Sequence, residues 1–231
     1  MNQLQTTGII LSRTDFGEAD RILTVLTPNQ GKLRLMAKGV RKIKSKLAGG
    51  IELFSVSDLT YIRGRSDINT LISSRLRTHY ATIVRDLDRV QLGYQFLKQL
   101  HKATEDQPEP AYFELAVQVF SALDTEQVDI DLIELWYQAQ LLRLAGHTPN
   151  LKTDINDQKL VANQRYNFDF EVMAFSPHPQ GGFGATHIKT LRLLFSDHQP
   201  KQLYNVEGLS KLLREVQPLI TTIASSYLRL T

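Results

Sequence analysis

The spacing of the apolar residues changes at about Thr78, and this change limits the possible folds more than any other feature of the chain. Before Thr78, short runs alternate between apolar and polar residues, which is the period of a strand with one buried face. After it, apolar residues recur at steps of three and four, which is the period of an amphipathic helix. The sequence therefore predicts an α+β protein in which strands come first and helices follow.

Five strands are predicted in the first eighty residues. The turns that join them are too short for helical crossovers between parallel strands, so a small closed barrel is expected. The predicted strands are Thr7 to Arg13, Arg21 to Thr27, Lys32 to Lys38, Ile51 to Arg63 and Asn69 to Arg77. An oligonucleotide-binding (OB) barrel is the commonest fold of this size, and a small barrel of the SH3 type is the alternative. We assign residues 1–79 to this barrel domain.

The densest positive charge lies in the predicted third strand and in the segment that joins it to the fourth. Residues 31–50 contain seven Lys and Arg residues and no Asp or Glu. A loop that is charged only for solubility has no reason to exclude acids, whereas a phosphate-binding loop does, because each carboxylate would repel the ligand. We therefore predict a mobile basic loop that binds a nucleic-acid backbone. The predicted DNA-binding residues are Lys32, Arg34, Lys38, Arg41, Lys42, Lys44, Lys46, Arg75 and Arg77.

The charge is also unevenly distributed along the chain. Residues 1–80 contain 13 Lys and Arg against 6 Asp and Glu, whereas residues 81–231 contain 14 against 18. The first part therefore carries a net charge of +7 and the remainder −4, although the whole chain carries only +3. This asymmetry is expected when one module binds a polyanion and another does not.

Residues 80–231 are predicted to form a helical domain. Within it, residues 150–184 are polar, with two short alternating stretches and a Pro- and Gly-rich loop, so we expect a small β-containing insertion there. Pro218 is expected to kink or interrupt the last helix, and Trp136 and Tyr137 are expected in the core. The predicted helices are Tyr80 to Ala103, Ala111 to Leu123, Asp129 to Ala145, Thr186 to Ser196 and Glu207 to Leu230.

Several motifs in the first part resemble the N-terminal domain of the RecO family of bacterial recombination mediators. They are GEADRILT at residues 17–24, AKGVR at 37–41 and KSKL at 44–47, followed by Gly50 and Phe54. A weaker resemblance continues in the helical part, at residues 144–151 and 175–182. Because the first motifs occur in the family's order and spacing, the chain is identified as resembling this family.

The resemblance also implies a difference from many family members, which hold a zinc ion with four cysteines inside the insertion. This chain contains no cysteine. Its six histidines never occur three or four residues apart, so they do not form a helical metal-binding pair. We therefore predict that residues 150–184 replace a zinc finger and that the protein has no metal site and no cofactor.

The family resemblance implies a non-enzymatic DNA-binding protein of recombinational repair, in the RecF pathway. It implies binding of single-stranded DNA, with double-stranded DNA as a second ligand, and annealing of complementary strands without ATP. It also implies binding of the C-terminal tail of single-stranded-DNA-binding protein (SSB) and action with RecR in loading RecA. By this resemblance the tail would bind the helical domain, where the candidate cations are Arg143, Lys189 and Arg192.

The residues themselves leave two other functions open. The barrel could be an interaction scaffold that binds an acidic protein, or it could bind RNA. Phe54 and Tyr61 are the nearest candidates for base stacking, so charge is expected to dominate binding. No Walker A loop, H-E-x-x-H motif, nucleophile elbow or paired carboxylate cluster indicates an enzyme. No signal peptide or membrane-spanning run is evident, so a cytoplasmic location without membrane association is expected.

Metal removal is expected to leave folding unchanged, because the chain lacks the thiolates that hold zinc in related insertions. Thermal unfolding followed by circular dichroism, before and after dialysis against EDTA, measures this. A lower midpoint after EDTA that zinc restores would contradict the prediction.

Overall fold

The first eighty residues form a five-stranded closed barrel. The computed structural model describes residues 3–64, 66–104 and 110–228. The barrel strands are β1 (Gln3–Phe16), β2 (Asp20–Thr27), β3 (Gly31–Ala37), β4 (Ser55–Ile62) and β5 (Ile68–His79). All five predicted strands are therefore confirmed, although β1 extends four residues before and three residues after its predicted span.

The strand order is that of an OB fold. Around the barrel the order is β1-β2-β3-β5-β4, and β4 pairs with β1 to close it. Neighbouring strands are antiparallel except β3 and β5, which run parallel over residues 34–36 and 68–70. This five-stranded closed arrangement confirms the OB-type barrel that the sequence predicted.

β4 begins later than predicted. The sequence alternates from Ile51, but Ala48–Gly50 form a short 3-10 helix and Phe54 has a positive φ of 54°. A positive φ is rare for a residue with a Cβ and is incompatible with an extended strand. The chain therefore turns at Phe54, and β4 starts at Ser55.

The barrel interior is apolar. Its main residues are Ile10, Leu23, Val25, Leu35, Ala37, Leu59, Tyr61 and Leu71, all buried. Val40 and Ile51, from the segment between β3 and β4, complete this core. The β3–β4 segment therefore closes one end of the barrel from inside while its polar residues face outward.

The helices α1 (Leu87–Ala103) and α2 (Pro110–Leu123) belong to the same compact unit as the barrel, which extends over residues 1–126. Phe54, which directly precedes β4, packs against both helices. Its buried ring lies edge-on to Phe120 of α2, with 5.7 Å between ring centroids, and next to Gly93 of α1. The buried Arg89 of α1 donates hydrogen bonds to the carbonyl oxygens of Leu123, Thr125 and Glu126. The strands thus end at residue 79, but the compact unit continues through two helices.

α1 begins seven residues later than predicted. The Asp86 side chain accepts hydrogen bonds from the backbone N–H groups of Asp88 and Arg89, at 2.9 and 3.1 Å, and so caps the helix. Residues 83–85 form a single 3-10 turn before it. Periodicity continued across this turn, so it did not reveal the helix start.

The second compact unit, residues 127–231, is mainly helical. Its helices are α3 (Ile130–Leu144), α4 (Ala185–Leu194), α5 (Pro200–Leu203) and α6 (Leu209–Tyr227). Trp136 and Tyr137 on α3 are buried, as predicted. Among the described residues, none of the helices is long and apolar enough to cross a membrane.

α6 runs through Pro218 without a break, so of the two predicted effects, a kink or an interruption, the interruption is wrong. A proline inside a helix costs about 3 kcal/mol. The buried side chains Val216, Leu219 and Ile220 flank it on the face that packs in the second unit. Each contributes about 1.5 to 3 kcal/mol by burial, and together they outweigh that cost. Residues 229 and 230 of the predicted helix lie outside the described residues.

The insertion at residues 150–184 contains the hairpin β6 (Tyr166–Asp169) and β7 (Ala174–Pro177). Its centre is aromatic: Phe175 lies edge-on to Phe168 at 5.2 Å and to Phe183 at 5.6 Å between ring centroids. The carboxylate of the buried Asp154 accepts hydrogen bonds from the backbone N–H groups of Asn156 and Gln158. Packed rings and local hydrogen bonds therefore stabilise this insertion.

Two adjacent glycines provide a test of the fold at the end of the β3–β4 segment. A Cβ on Gly50 would lie 2.6 Å from the Cβ of Ser74 and 2.7 Å from its carbonyl carbon, whereas a Cβ on Gly49 meets nothing within 4 Å. Gly50→Ala is expected to lower the free energy of unfolding by about 1 to 3 kcal/mol through this overlap. Gly49→Ala, its matched control, is expected to change it by less than about 1 kcal/mol. Urea unfolding measures both, and equal effects would contradict the packing described.

Candidate nucleic-acid interface

β3 separates apolar from basic residues. Leu35 and Ala37 are fully buried in the barrel, whereas Arg34 and Lys38 are exposed on the outside. This confirms the alternation predicted for the strand. Lys32 is half-buried, and its Nζ donates a 3.1 Å hydrogen bond to the His101 carbonyl oxygen at the end of α1. Of the predicted cations on β3, Lys32 therefore already has a partner within the barrel unit.

The basic segment after β3 is a series of hydrogen-bonded turns. The Lys42 N–H donates to the Gly39 carbonyl oxygen at 3.1 Å, and the Ser45 N–H donates to the Lys42 carbonyl oxygen at 2.9 Å. Residues 39–42 and 42–45 therefore form two successive β-turns. The sequence predicted a mobile loop, but these bonds and the buried Val40 hold its first half against the barrel.

Two contacts fix the start of this segment to the β1–β2 hairpin. The Gly39 N–H donates to the Asp20 carboxylate at 2.7 Å, and the Arg41 N–H donates to the Ala19 carbonyl oxygen at 2.9 Å. Gly39 has a φ of +65°, a conformation that glycine adopts without strain. The turn residues of the GEADRILT and AKGVR motifs thus lie together.

Another contact fixes the end of the segment. The Ser74 hydroxyl of β5 donates to the Leu47 carbonyl oxygen at 2.8 Å. Between the two attachments, the exposed cations are Arg41, Lys42, Lys44 and Lys46. Ile43 lies among them and is fully exposed. The segment is therefore a tethered basic surface that projects from one end of the barrel.

Arg75 and Arg77 lie on β5, next to Ser74, which contacts the end of the basic segment. Their strand, β5, pairs with β3 only as far as Thr70, and Arg75 is opposite Asp58 on β4. Arg77 forms a 3.9 Å ion pair with Asp58. The nine predicted residues therefore fall into two groups: seven follow β3 and its turns, and two lie near an acid on β4 and β5.

Asp15 is an acidic residue beside the basic segment that sequence reasoning missed. Its carboxylate pairs with Arg21 at 2.7 Å and with Arg41 at 3.5 Å. The hydrogen bond from Arg21, followed by the charges of Arg41, Arg21 and Arg13, holds the pKa of Asp15 below its usual value. Asp20, which is next to Arg21 in the chain, instead accepts a hydrogen bond from the Gly39 N–H.

The predicted stacking residues are not available to bases. Phe54 and Tyr61 are each only 2% exposed. Phe54 lies between the barrel and the helices of its unit, and the Tyr61 hydroxyl donates to the Gln30 side chain. Burial raises the pKa of Tyr61. The prediction that these two residues stack on bases is wrong. Both side chains are large and mostly apolar, so burial in the core is more favourable than exposure to solvent.

An exposed aromatic side chain occurs instead at the end of β1. Phe16 is 53% exposed and pairs with Asp20 across the hairpin that contacts the basic segment. The signal that could have identified it is its position: it directly precedes the Gly17 turn, where a strand has left the barrel core. Sequence periodicity does not indicate where the core ends.

The cations proposed for the SSB tail have varied surroundings. Arg143 forms a 2.6 Å ion pair with Asp197, and Arg192 donates two hydrogen bonds to the Leu151 carbonyl oxygen. Lys189 lines a cavity of about 80 Å³ beside Val161. Arg143 and Arg192 therefore hold local structure, and Lys189 and Arg192 both border the cavity.

Two family models match most of the chain. Residues 1–80 match the family model "Recombination protein O N terminal", and residues 95–227 match "Recombination protein O C terminal". The chain is 33% identical over 182 residues to the DNA repair protein RecO of Dehalococcoides mccartyi, which covers 78% of this chain and 68% of that protein. It is 37% identical over 148 residues to the DNA repair protein RecO of Synechococcus elongatus, covering 62% of this chain and 54% of that protein. The chain spans only part of these relatives' length.

Asp15→Asn is expected to tighten binding of a single-stranded oligonucleotide at low salt, because it removes a carboxylate that pairs with Arg21 and Arg41 beside the basic segment. Fluorescence anisotropy with labelled oligothymidylate measures this, and the gain should shrink as salt rises. Glu171→Gln, an exposed site in the insertion with the same charge change, is the control. Equal gains in both variants would contradict a local effect.

The pH dependence of this pair follows from the lowered pKa of Asp15. Ionised Asp15 stabilises the folded protein through these pairs. This stabilisation is fully present at pH values above 3.8, the ordinary pKa of the group, and is lost as the pH falls through the lower pKa of the folded state. Asp15 therefore stays ionised between about pH 5 and 8. Over this range, the pH dependence of oligonucleotide binding should be the same for the wild type and for Asp15→Asn.

Proposed function

The chain belongs to the RecO family of DNA repair proteins, and on that premise we propose that it binds single-stranded DNA along the surface formed by β3 and the basic segment. The observation that carries this proposal is the tethering of the basic turns to the β1–β2 hairpin. It brings exposed cations of β3 and of the turns to one end of the barrel. Phosphates would contact Arg34, Lys38, Arg41, Lys42, Lys44 and Lys46.

Tethering also supports the affinity of such a surface. A disordered loop would lose conformational entropy when it bound a strand, whereas hydrogen-bonded turns have already lost most of it. The remaining gain on binding comes from release of counterions by the phosphates, so affinity should fall steeply with salt. We propose that binding is therefore strong at low salt and nearly independent of base sequence.

We further propose that the chain anneals complementary strands without ATP. Two DNA strands repel each other through their phosphates, and a basic surface that neutralises one strand lowers that repulsion. The chain carries no nucleotide-binding motif that would drive annealing by hydrolysis. In this proposal the protein acts as an electrostatic mediator rather than as an enzyme, with double-stranded DNA as a second, product-like ligand.

We propose the family's partners for this chain as well. They are the C-terminal tail of SSB, RecR and, through them, the loading of RecA, in the cytoplasm. Lys189 is the candidate cation for the acidic tail, because it borders the cavity, whereas the guanidinium groups of Arg143 and Arg192 bind Asp197 and the Leu151 carbonyl oxygen. An interaction scaffold for an acidic protein and an RNA-binding barrel are the alternatives that use the same cations.

Charge reversal in the basic turns tests the proposal. The variant with Arg41, Lys42, Lys44 and Lys46 all changed to Glu is expected to lose at least about a hundredfold in affinity for oligothymidylate at low salt. The slope of log K against log salt should become shallower by roughly 3, since each lost phosphate contact removes about 0.7. Anisotropy titrations at several salt concentrations measure both.

The matched control reverses four exposed lysines of the second unit, Lys152, Lys159, Lys201 and Lys211, with the same change in net charge. It should retain most of the affinity, and both variants should melt like the wild type. Equal losses in the two variants would show a nonspecific charge effect and would contradict the proposed surface. Competition with a matched RNA strand and with a polyglutamate peptide separates the alternative ligands.

A further inference from the structure

We propose that Phe16, with Ile22 and Met36 beside it, forms a platform on which unpaired nucleobases stack while the neighbouring cations hold the phosphates. This inference rests on the proposed function and adds a property that charge alone does not provide, namely selection for unpaired bases. We call these three residues the apolar strip.

Strand register places the apolar strip on one face. Leu35 and Ala37 point into the barrel, so Met36 between them points outward. Ile22 is directly opposite Met36 in the β2–β3 pair. Phe16 is opposite Asp20, two residues before Ile22, which puts its ring on the same face and within diagonal reach of Ile22.

The strip remains uncovered, although helices cover the other end of the same face. Leu26, on the outer side of β2, is buried where α1 and α2 contact β1 and β2. Nearer the basic segment, Ile22 and Met36 are half-buried and Phe16 is 53% exposed. The solvent face of an antiparallel sheet is usually polar, so an apolar strip here indicates a surface that a ligand covers.

Cations flank the strip along β3. Arg34 and Lys38 are two residues before and after Met36, which separates each from it by about 7 Å along the strand. An acidic protein partner would match the cations, but it would also need apolar side chains to cover the exposed aromatic ring. A single strand of DNA matches both, because its phosphates are anionic and its bases present flat apolar faces.

The strip also accounts for selectivity between single and double strands. Bases in a duplex are already stacked inside the helix, so their faces cannot reach Phe16. Every base has such a face, so stacking on this ring would tolerate any sequence. The basic turns would then bind any nucleic-acid backbone, and the strip would favour unpaired strands.

Removal of the ring is the first test. Phe16→Ala should weaken binding of oligothymidylate about 5- to 150-fold, while the slope of log K against log salt stays unchanged, because no phosphate contact is lost. Affinity for a duplex should not change. Phe170→Ala, an exposed phenylalanine of the insertion, is the matched control and should bind like the wild type.

An abasic strand identifies what the ring contacts. This strand keeps its phosphates but has no bases, so wild type and Phe16→Ala should bind it equally. If Phe16→Ala weakens binding of the abasic strand as much as binding of oligothymidylate, the ring does not act through bases and the inference is wrong.

Phe16→Trp provides a direct signal from a folded variant. The chain has one native tryptophan, Trp136, which is buried and donates its Nε1–H to the His198 carbonyl oxygen. Oligothymidylate should quench the emission of Phe16→Trp and leave that of the wild type unchanged. Absence of quenching at saturating DNA would overturn the base platform while leaving the basic surface intact. A wild type that binds no single strand at low salt would instead overturn the proposed function, and the platform with it.

Discussion

Closure of the barrel places alternate residues of five strands in one apolar interior, and the surface chemistry of the first unit follows from that alternation. Because Leu35 and Ala37 must face inward, Arg34 and Met36 must face outward. A slip of one residue in β3 would bury cations and expose aliphatic side chains, at a cost far larger than the stability of a small domain. The register that holds the core together is thus also the register that presents the basic face.

The outer face of the barrel has two environments. At one end α1 and α2 cover β1 and β2, and Lys32 binds the end of α1. At the other end the surface is open, and the β1–β2 hairpin holds the basic turns through Asp20 and Ala19. The Asp20 carboxylate therefore contributes to this basic region by holding the backbone of the turns in place rather than by neutralising a cation. Asp15, in contrast, neutralises part of the arginine charge nearby.

Aromatic packing and hydrogen bonds to backbone carbonyl groups hold the insertion of the second unit together. Phe175 packs edge-on between neighbouring rings, and Arg165 donates hydrogen bonds to the carbonyl oxygens of Gly181 and Gly182. Aromatic contacts of this kind contribute about 0.5 to 1.5 kcal/mol each beyond their burial. Several together can hold a short hairpin against helices, which is the role that thiolate ligands fulfil in zinc-binding insertions.

The sequence by itself determined the five strands, a small closed barrel, the helical remainder and the family, because periodicity and motif spacing are local properties that the chain carries in any context. It also indicated the outward direction of Arg34 and Lys38. Only the tertiary structure decided that the strands close in the OB order, that Arg75 is opposite Asp58 on β4, that Phe54 is buried, and that Phe16 is exposed. Those outcomes depend on which strands pair around the barrel and where helices cover it, and such contacts join residues far apart in the chain.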